Sequence, residues 1–318
     1  MSGVRVAFFG TPDFAVPSLA AIRQSGHELV AIVTQPDRPR GRGQKVTPSP
    51  VGAYAAAAGI LILRPERIRT DDFLAAFASL NVDLAIVAAY GKILPAPLLQ
   101  VPRLGFVNVH ASLLPRWRGA APIHRAVIAG DAETGITIMR VVPQLDAGPM
   151  MAKVTVPIGP NETSAELEPR LAEAGARLLV GVVDALGAGT VQEEPQDEGL
   201  VTYASRIERA EGRCEWGRAA KEVHNHIRGL QPWPLVSAFL HGKRVLLVRS
   251  EVASPDALEH AGPGTVVHVS PQGIVVATSP GSVRLLAIQP EGRAVMNVRD
   301  FLNGHRIVMG DRLEAAGS

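Results

Sequence analysis

Five apolar runs alternate with helix-like patterns over the first 190 residues. Each run ends in glycine or polar residues, as expected of strands buried inside a sheet. Strands that alternate with helices form βαβ units, so we expect an α/β fold with a doubly wound, mainly parallel sheet. The predicted strands are residues 4–9, 28–34, 83–90, 105–111 and 134–142. The predicted helices include residues 13–25, 119–129, 164–186 and one that starts at Thr70-Asp71-Asp72.

The pattern changes after about residue 190, where a polar stretch with Gly and Pro is typical of a linker. An amphipathic helix is predicted over 216–229. Short apolar runs separated by turns follow it and indicate a small β-barrel. Trp233, between two prolines, is expected to pack as a rigid apolar corner. The predicted barrel strands are 243–249, 264–269, 273–278 and 283–288. The predicted domains are 1–189 and 208–318, joined by the linker 190–207.

Composition excludes several classes of protein. A length of 318 residues suits about two domains. The only cysteine, Cys214, excludes a disulfide framework and a Cys-based zinc site, and it fits a reducing, cytoplasmic location. The uncharged stretches 46–63 and 260–283 are interrupted by Gly and Pro, so we expect no membrane span. The N-terminal apolar run lacks a basic flank, so we expect no signal peptide.

Several familiar ligand motifs are absent from the sequence. The first predicted strand leads into Phe9-Gly10-Thr11-Pro12-Asp13, which lacks the second and third glycines of a dinucleotide-binding loop. There is no phosphate-binding loop of the NTPase type and no H-E-x-x-H zinc motif. His224 and His226 are two residues apart on a predicted helix and point in different directions. We therefore expect surface histidines and no metal site.

The strand at 105–111 departs from the apolar pattern of a buried parallel strand. Asn108 and His110 are two residues apart, which places both on one face at the carboxyl end of the strand. Ligands bind at that edge of open α/β sheets. An amide donor can stabilise an oxyanion and an imidazole can move a proton, which suits acyl transfer. The alternative interpretation is a polar pair that merely closes the strand.

A carboxylate follows the fifth predicted strand. Asp146 lies in the loop Leu145-Asp146-Ala147-Gly148-Pro149, which a neighbouring strand can bring beside His110. There the carboxylate would orient the imidazole and favour its charged form, or hold a water. Asp is also common in turns for conformational reasons alone, so a purely structural Asp146 remains open.

The stretch N-V-H-A-S-L-L-P-R-W-R-G-A-A-P-I, with D-A-G downstream, resembles the signature of formyltransferases that use 10-formyltetrahydrofolate. Further motifs resemble the methionyl-tRNA formyltransferases in order and spacing along essentially the whole chain: G-T-P-D-F, A-Y-G-K-I-L-P, G-D-A-E-T-G-I-T-I-M, V-T-Y-A, P-W-P and P-G-T. The resemblance implies a Rossmann-like formyltransferase domain followed by an OB-like tRNA-binding domain. It implies catalytic roles for Asn108, His110 and Asp146. It implies a folate site at Ser112, Leu113, Leu114 and Pro115, lined by Ala89, Tyr90 and Gly91.

A basic loop carries the clearest nucleic-acid signal. Residues 36–48 contain four cations and one Asp, and the family uses this loop on the acceptor end of tRNA. Residues 205–318 hold 14 Lys and Arg against 11 Asp and Glu, which permits nucleic-acid binding. With aromatic residues at 4%, phosphate contacts should outweigh base stacking. The predicted tRNA-binding residues are Arg38, Arg40, Arg42, Lys45, Lys243, Arg244 and Arg249.

The implied reaction is formyl transfer from 10-formyltetrahydrofolate to the α-amine of initiator methionyl-tRNA. No activated Ser or Cys lies near the motif, so we expect the amine to attack the formyl carbon directly. We also expect a monomer that needs no metal. Three alternatives remain: a formyltransferase for a small acceptor, a formyltetrahydrofolate hydrolase, and a tRNA-binding protein without catalysis. The basic loop and the barrel argue against the first two, and polar residues at a buried strand end argue against the third.

Overall fold

A computed structural model describes residues 3–40, 45–253 and 261–315. The chain packs into two compact units. The first comprises the described residues within 1–119, 134–157 and 168–204, and the second those within 120–133, 158–167 and 205–318. The division into domains at 190–207 stays a prediction.

The strands are β1 Arg5–Gly10, β2 Glu28–Val33, β3 Arg38–Arg40, β4 Lys45–Thr47, β5 Ile62–Leu63, β6 Leu84–Ala88, β7 Phe106–His110, β8 Arg118–Gly119, β9 Glu133–Arg140, β10 Met150–Pro157, β11 Tyr203–Ala204, β12 Val236–Leu240, β13 Lys243–Val252, β14 Val266–Ser270, β15 Gly273–Ala277, β16 Ser282–Pro290, β17 Met296–Asn297 and β18 Leu313–Ala315. The helices are α1 Val16–Gln24, α2 Pro50–Ala57, α3 Asp71–Ala78, α4 Ala96–Leu99, α5 Pro122–Ala129, α6 Ser164–Ala188, α7 Ala220–Gly229 and α8 Val298–Gly304. Within these described helices, none is both long and apolar enough to cross a bilayer.

The first unit contains a seven-stranded sheet in the order β10-β9-β7-β6-β1-β2-β5. The four neighbouring pairs β5–β2, β2–β1, β1–β6 and β6–β7 are all parallel, which confirms the predicted, mainly parallel sheet. β9 differs because it runs antiparallel to β7, with Arg140 opposite Val107 and Thr137 opposite His110. β5 and β10 were not predicted from the sequence.

Helices cover both faces of this sheet, as the doubly wound prediction requires. On one face, Phe106 of β7 packs with Phe9 of β1 and Phe77 of α3, with ring centroids 5.4 Å and 6.3 Å from its own. On the other face, α6 passes close to β7 at Gly175. A Cβ at this position would lie only 2.9 Å from the side chain of Val109. Burial of these apolar side chains is the main stabilising contribution to the sheet. This apolar packing does not use the polar residues at the end of β7, which remain available to contact a ligand.

The second unit contains an antiparallel sheet in the order β14-β15-β16-β13-β12-β18, with β17 beside β16. The sheet curls so that its ends meet: the Val266 amide donates to Asp311 and the Leu313 amide to Gly264, at 2.7 Å and 2.8 Å. α7 packs its apolar stripe into the core of this unit through Val223 and Ile227. This architecture fits the expected barrel-like second domain.

Three side chains of the second unit correct or sharpen the sequence interpretation. His224 is buried rather than on the surface, because its ring is held between Pro160 and Ser250. Trp233 is 52% exposed, so the expectation that it packs as an apolar corner was wrong. Cys214 is fully buried in the core, where burial raises the pKa of its thiol. A buried thiol of this kind does not act as a nucleophile at neutral pH.

The buried His224 predicts an acid-sensitive fold. Its Nε2 donates to the Pro160 carbonyl, which can only accept, and in the neutral ring its Nδ1 accepts from the Ser250 hydroxyl. Burial lowers the pKa of His224 below the ordinary 6.5. Below pH 6.5 the unfolded chain therefore binds a proton that the folded chain does not. The free energy of unfolding consequently decreases as the pH is lowered.

We expect the free energy of unfolding to decrease as pH falls below about 6.5, and His224→Gln to reduce that slope by up to about 1.4 kcal/mol per pH unit. Urea titrations at several pH values measure the slope separately from any loss of stability caused by the substitution. The exposed His268→Gln variant is the control. An unchanged slope in His224→Gln would refute the assignment.

Candidate active site

The polar end of β7 lies at the carboxyl edge of the parallel strands. Asn108 is opposite Val87 of β6, and His110 lies two residues further on the same face. Asn108 is half-buried, and within the described residues its side-chain amide makes no hydrogen bond. Both amide hydrogens can therefore be donated to a ligand at this edge of the sheet.

His110 is 5% exposed and makes two polar contacts. Its Nε2 lies 2.9 Å from the carbonyl oxygen of Trp117, which can only accept, so Nε2 carries the proton. Its Nδ1 lies 3.7 Å from Oδ2 of Asp146. In the neutral ring, Nδ1 is therefore an unprotonated base that faces a carboxylate. A proton that arrives there is stabilised by the opposite charge.

The Asp146 side chain reaches His110 through the loop 141–149. Because β9 runs antiparallel to β7, this loop starts from the amino end of β7 and must return toward its carboxyl end. Asp146 adopts a left-handed backbone with φ of 46°, which costs a non-glycine residue about 1–3 kcal/mol. Its Oδ2 also accepts from the amide of Gly119 at 2.9 Å. The carboxylate is thus aimed by the backbone as well as by its partners.

Gly119 occupies a position where no other residue fits. Its φ is 125°, and a Cβ there would lie 2.6 Å from the carbonyl oxygen of Ala204 in the adjoining strand β11. Glycine therefore permits β8 and β11 to pair while the Gly119 amide points at Asp146.

The predicted folate loop, residues 112–115, is held in place by hydrogen bonds to the side chain of Thr137 in β9. The Thr137 hydroxyl donates to the Ser112 carbonyl at 2.7 Å and accepts from the Leu114 amide at 3.1 Å. The Ser112 hydroxyl donates to the Arg116 carbonyl at 2.7 Å. Leu114 is buried against Met139. This loop is ordered by its own contacts, so it presents a fixed surface beside His110.

Residues 89–91 follow β6 and start at the same edge. Ala89 and Gly91 both have positive φ, 47° and 79°. The Tyr90 ring points into the aromatic core against Phe9, and burial raises the pKa of its hydroxyl to about 12. Its carbonyl accepts from Gln35 at 2.8 Å. This segment therefore offers backbone groups, not the Tyr90 side chain, to a ligand.

The predicted basic loop contains the hairpin of β3 and β4, in which Arg38 pairs with Thr47 and Arg40 with Lys45. Arg38 is exposed. Arg42 lies outside the described residues. Two contacts hold the base of the hairpin against the rest of the first unit. Gln35 donates to the Tyr90 carbonyl, and Asp37 pairs with Arg64 at 3.3 Å.

The predicted basic residues of the second unit differ in their environment. Lys243 is exposed and Arg244 half-buried at the start of β13. Arg249 forms an ion pair with Glu166. Burial raises the pKa of Glu166, but hydrogen bonds from Thr163 and Arg249 outweigh it and lower the pKa overall. Arg249 is therefore already neutralised by a carboxylate, and Lys243 is the better candidate for a phosphate contact.

Sequence reasoning missed several residues that shape this site. Thr137, Gln196 and Thr202 contact the loops around His110, yet each is an ordinary polar residue in its local sequence. Arg118 lies inside the motif that was singled out, but nothing in the motif indicates that its side chain is buried and paired with the exposed Glu198. Among the described residues, no group of three or more His, Cys, Asp and Glu side chains is arranged to hold a metal ion.

Two family models match the chain, "Formyl transferase" over residues 4–183 and "Formyl transferase, C-terminal domain" over residues 206–306. Methionyl-tRNA formyltransferases of Methylococcus capsulatus and Moorella thermoacetica are each 44% identical over 310 residues, which cover 98% of this chain and 99% of each relative. Solved structures with the same fold include the N-formyltransferase of Helicobacter canadensis with folinic acid and dTDP-3-aminofucose (TM-score 0.67, 17% identity, 90% of this chain and 99% of that one). HypX of Aquifex aeolicus with tetrahydrofolic acid (TM-score 0.63, 16% identity) matches 98% of this chain, which spans about half of HypX at 51%.

The two threonines of β9 provide a matched stability test of the predicted folate loop. In Thr137→Val, the Ser112 carbonyl and the Leu114 amide lose a buried partner. We expect a loss of about 2–4 kcal/mol in the free energy of unfolding. Thr134 is equally buried, but its hydroxyl has no partner among the described residues, so Thr134→Val should be neutral or stabilising. Urea denaturation of both variants makes the comparison, and equal losses would contradict it.

Proposed function

Because the chain belongs to the formyl transferase family, within its methionyl-tRNA formyltransferases, we propose that it transfers the formyl group of 10-formyltetrahydrofolate to the α-amino group of initiator methionyl-tRNA. The observation that carries the proposal is the cluster of Asn108, His110 and Asp146 at the carboxyl edge of the sheet. An amide donor, a base and a carboxylate are the groups that formyl transfer to an amine needs.

In the proposed reaction the neutral amine attacks the formyl carbon directly. A new C–N bond forms while the carbonyl oxygen takes up negative charge, and the free amide of Asn108 donates to that oxygen. Nδ1 of His110 accepts the proton that the amine loses, and Asp146 stabilises the resulting imidazolium. The bond between the formyl carbon and the folate nitrogen then breaks, and His110 returns the proton to that nitrogen. Atoms and charge balance without another reactant.

The surroundings of the site support a mechanism without a covalent enzyme intermediate. The nearest hydroxyl in the motif, Ser112, is fully buried and donates its proton to the Arg116 carbonyl rather than to a base. Cys214 is buried in the core of the second unit. Neither side chain is activated as a nucleophile.

We place the folate donor against the loop of Ser112, Leu113, Leu114 and Pro115 and the backbone of Ala89, Tyr90 and Gly91. Both segments follow strands that end at the same edge as His110. The Helicobacter canadensis N-formyltransferase, which shares this fold, was solved with folinic acid, which supports a folate derivative as the donor.

The tRNA would bind mainly through phosphate contacts. We assign the acceptor end to the basic loop with Arg38, Arg40, Arg42 and Lys45. In the second unit we assign further phosphate contacts first to Lys243, then to Arg244, and to Arg249 only where a phosphate replaces its partner Glu166. In this scheme residues 1–189 are the catalytic domain, 190–207 the linker and 208–318 the tRNA-binding domain. The enzyme would act as a cytoplasmic monomer and need no metal.

One assay separates the proposal from its alternatives. Purified protein is given 10-formyltetrahydrofolate with charged initiator tRNA, charged elongator methionine tRNA, or water alone. We expect rapid formylation of the initiator only. Release of formate without acceptor would indicate a hydrolase. Failure with both tRNAs would leave a small-molecule acceptor, and tRNA binding without transfer would indicate a non-catalytic protein.

Asn108→Ala tests the oxyanion role. Removal of one such donor lowers turnover by about 100- to 1,000-fold. The affinity for the folate donor, measured by calorimetry, should change less than about twofold, because the Asn108 amide acts on charge that develops during the reaction. Asn303→Ala, at an exposed site on α8, is the control. Near-normal turnover in Asn108→Ala would remove Asn108 from the mechanism.

Salt dependence tests the phosphate contacts. If about four phosphates are neutralised, affinity for charged tRNA should fall about 100-fold between 50 and 200 mM salt. Arg38→Ala should reduce the slope of log affinity against log salt by about 1. The exposed Arg177→Ala, on α6, should leave the slope unchanged. A salt response that is flat in the wild type would contradict phosphate-driven binding.

A further inference from the structure

Residues 194–204, which we call the strap, run past the catalytic loops and contact them at several points. The Glu194 backbone exchanges two 2.8 Å hydrogen bonds with Met150 at the start of β10. At the other end, Tyr203 and Ala204 form β11, which pairs with β8. Between these ends the strap passes both loops that supply partners to His110. The polar composition of this stretch predicts a linker, but in the structure the strap lies against the loops of the site.

Gln196 is the buried centre of the strap. Its Nε2 donates to the carbonyl oxygens of Asp146 and Gly148, each at 2.8 Å. Its Oε1 accepts from Nε of Arg118 at 2.9 Å. The side chain is 9% exposed, so these bonds are shielded from water. Both hydrogens of the Gln196 side-chain amide are thus donated to backbone carbonyls of the Asp146 loop.

Arg118 anchors Gln196 in turn. The Arg118 guanidinium is 3% exposed and forms a two-pronged pair with the Glu198 carboxylate, at 2.7 Å and 3.3 Å. This leaves Nε of Arg118 directed at Gln196. Bidentate pairs of this kind fix geometry as well as charge. The orientation of Gln196 is therefore set from the strap itself and from β8.

The strap also holds the partners of His110 and Asp146 on the other loop. The Trp117 amide donates to the Thr202 hydroxyl at 2.9 Å, and the Arg118 amide donates to the Thr202 carbonyl at 2.9 Å. The Trp117 carbonyl accepts from His110, and the Gly119 amide donates to Asp146. The strap thus orders the loop that contacts both catalytic side chains.

We propose that Gln196 is a positioning residue, which holds the backbone of Asp146 so that its carboxylate faces His110. The left-handed backbone of Asp146 persists only where its surroundings determine it, and the two bonds from Gln196 hold the backbone carbonyls of this loop from outside it. The proposal rests on the proposed function for its catalytic readout. Gln196 itself does not touch the reacting atoms.

The first experiment is a double-mutant cycle on turnover. In an otherwise wild-type chain, Gln196→Leu should lower kcat about 10- to 100-fold, since misplacement of a catalytic group by about 1 Å has effects of this size. The KM values for donor and tRNA should change less than about twofold. In an Asp146→Ala chain, the same substitution should lower the residual kcat less than about threefold, because the group that Gln196 positions is already absent.

Gln192→Leu is the matched control, because Gln192 is exposed in the same stretch of chain. We expect it to keep wild-type kcat in both backgrounds. A near-wild-type kcat in Gln196→Leu would overturn the proposal. An equal loss in both backgrounds would overturn it as well, since that result indicates a general structural defect.

Amide hydrogen exchange gives a readout that needs no activity. The Gly119 amide is protected by Asp146, so Gln196→Leu should speed its exchange at least tenfold while the amides of β6 keep wild-type rates. If the wild-type chain formylates no charged tRNA, the proposed function fails, but faster exchange at Gly119 still supports the positioning role. Unchanged exchange at Gly119 overturns that role whatever the activity.

Discussion

The contact between the His110 imidazole and the Asp146 carboxylate requires two loops of the first unit to be held in place relative to β7. The His110 ring is 5% exposed at the end of a buried strand, so its polar atoms depend on protein groups rather than on water. Nε2 is satisfied by the Trp117 carbonyl, and Nδ1 faces Asp146 at 3.7 Å. Each partner comes from a different loop, so both loops must be fixed relative to β7. The Thr137 hydroxyl, the Gly119 amide and the strap supply the fixing contacts.

Backbone strain is concentrated at the same place. Of the six described non-glycine residues with positive φ, Ala89, Trp117 and Asp146 belong to the loops at the site. Such conformations are unfavourable and are maintained by surrounding contacts. The carbonyls of Asp146 and Gly148 are held by Gln196, and the Trp117 amide is held by Thr202. Rigid placement before substrate arrives is what electrostatic stabilisation of an oxyanion requires.

The sequence predicted what depends on local pattern. The five strands, the helix that begins after Thr70 and the shared face of Asn108 and His110 follow from apolar periodicity and helix capping. The antiparallel direction of β9 was not predictable, because an isolated apolar run carries no sign of its neighbour's direction. The burial of His224 depends on Pro160 and Ser250, 64 and 26 residues away. Trp233 is exposed although its two prolines suggested a packed corner. Long-range contacts decided the direction of β9 and the burial of His224.

The strap shows why composition alone could not distinguish a linker from a supporting segment. Both are polar and contain Gly and Pro, since a linker must be solvated and a supporting segment must satisfy backbone groups. The Asp146 loop turns away from its strand and leaves the carbonyls of Asp146 and Gly148 without ladder partners. The Gln196 amide nitrogen carries two hydrogens and satisfies both carbonyls, from a position 50 residues away from Asp146. An apolar residue at 196 would leave the buried carbonyl of Gly148 and the half-buried carbonyl of Asp146 unpaired, which is why the polarity of this stretch belongs to the site.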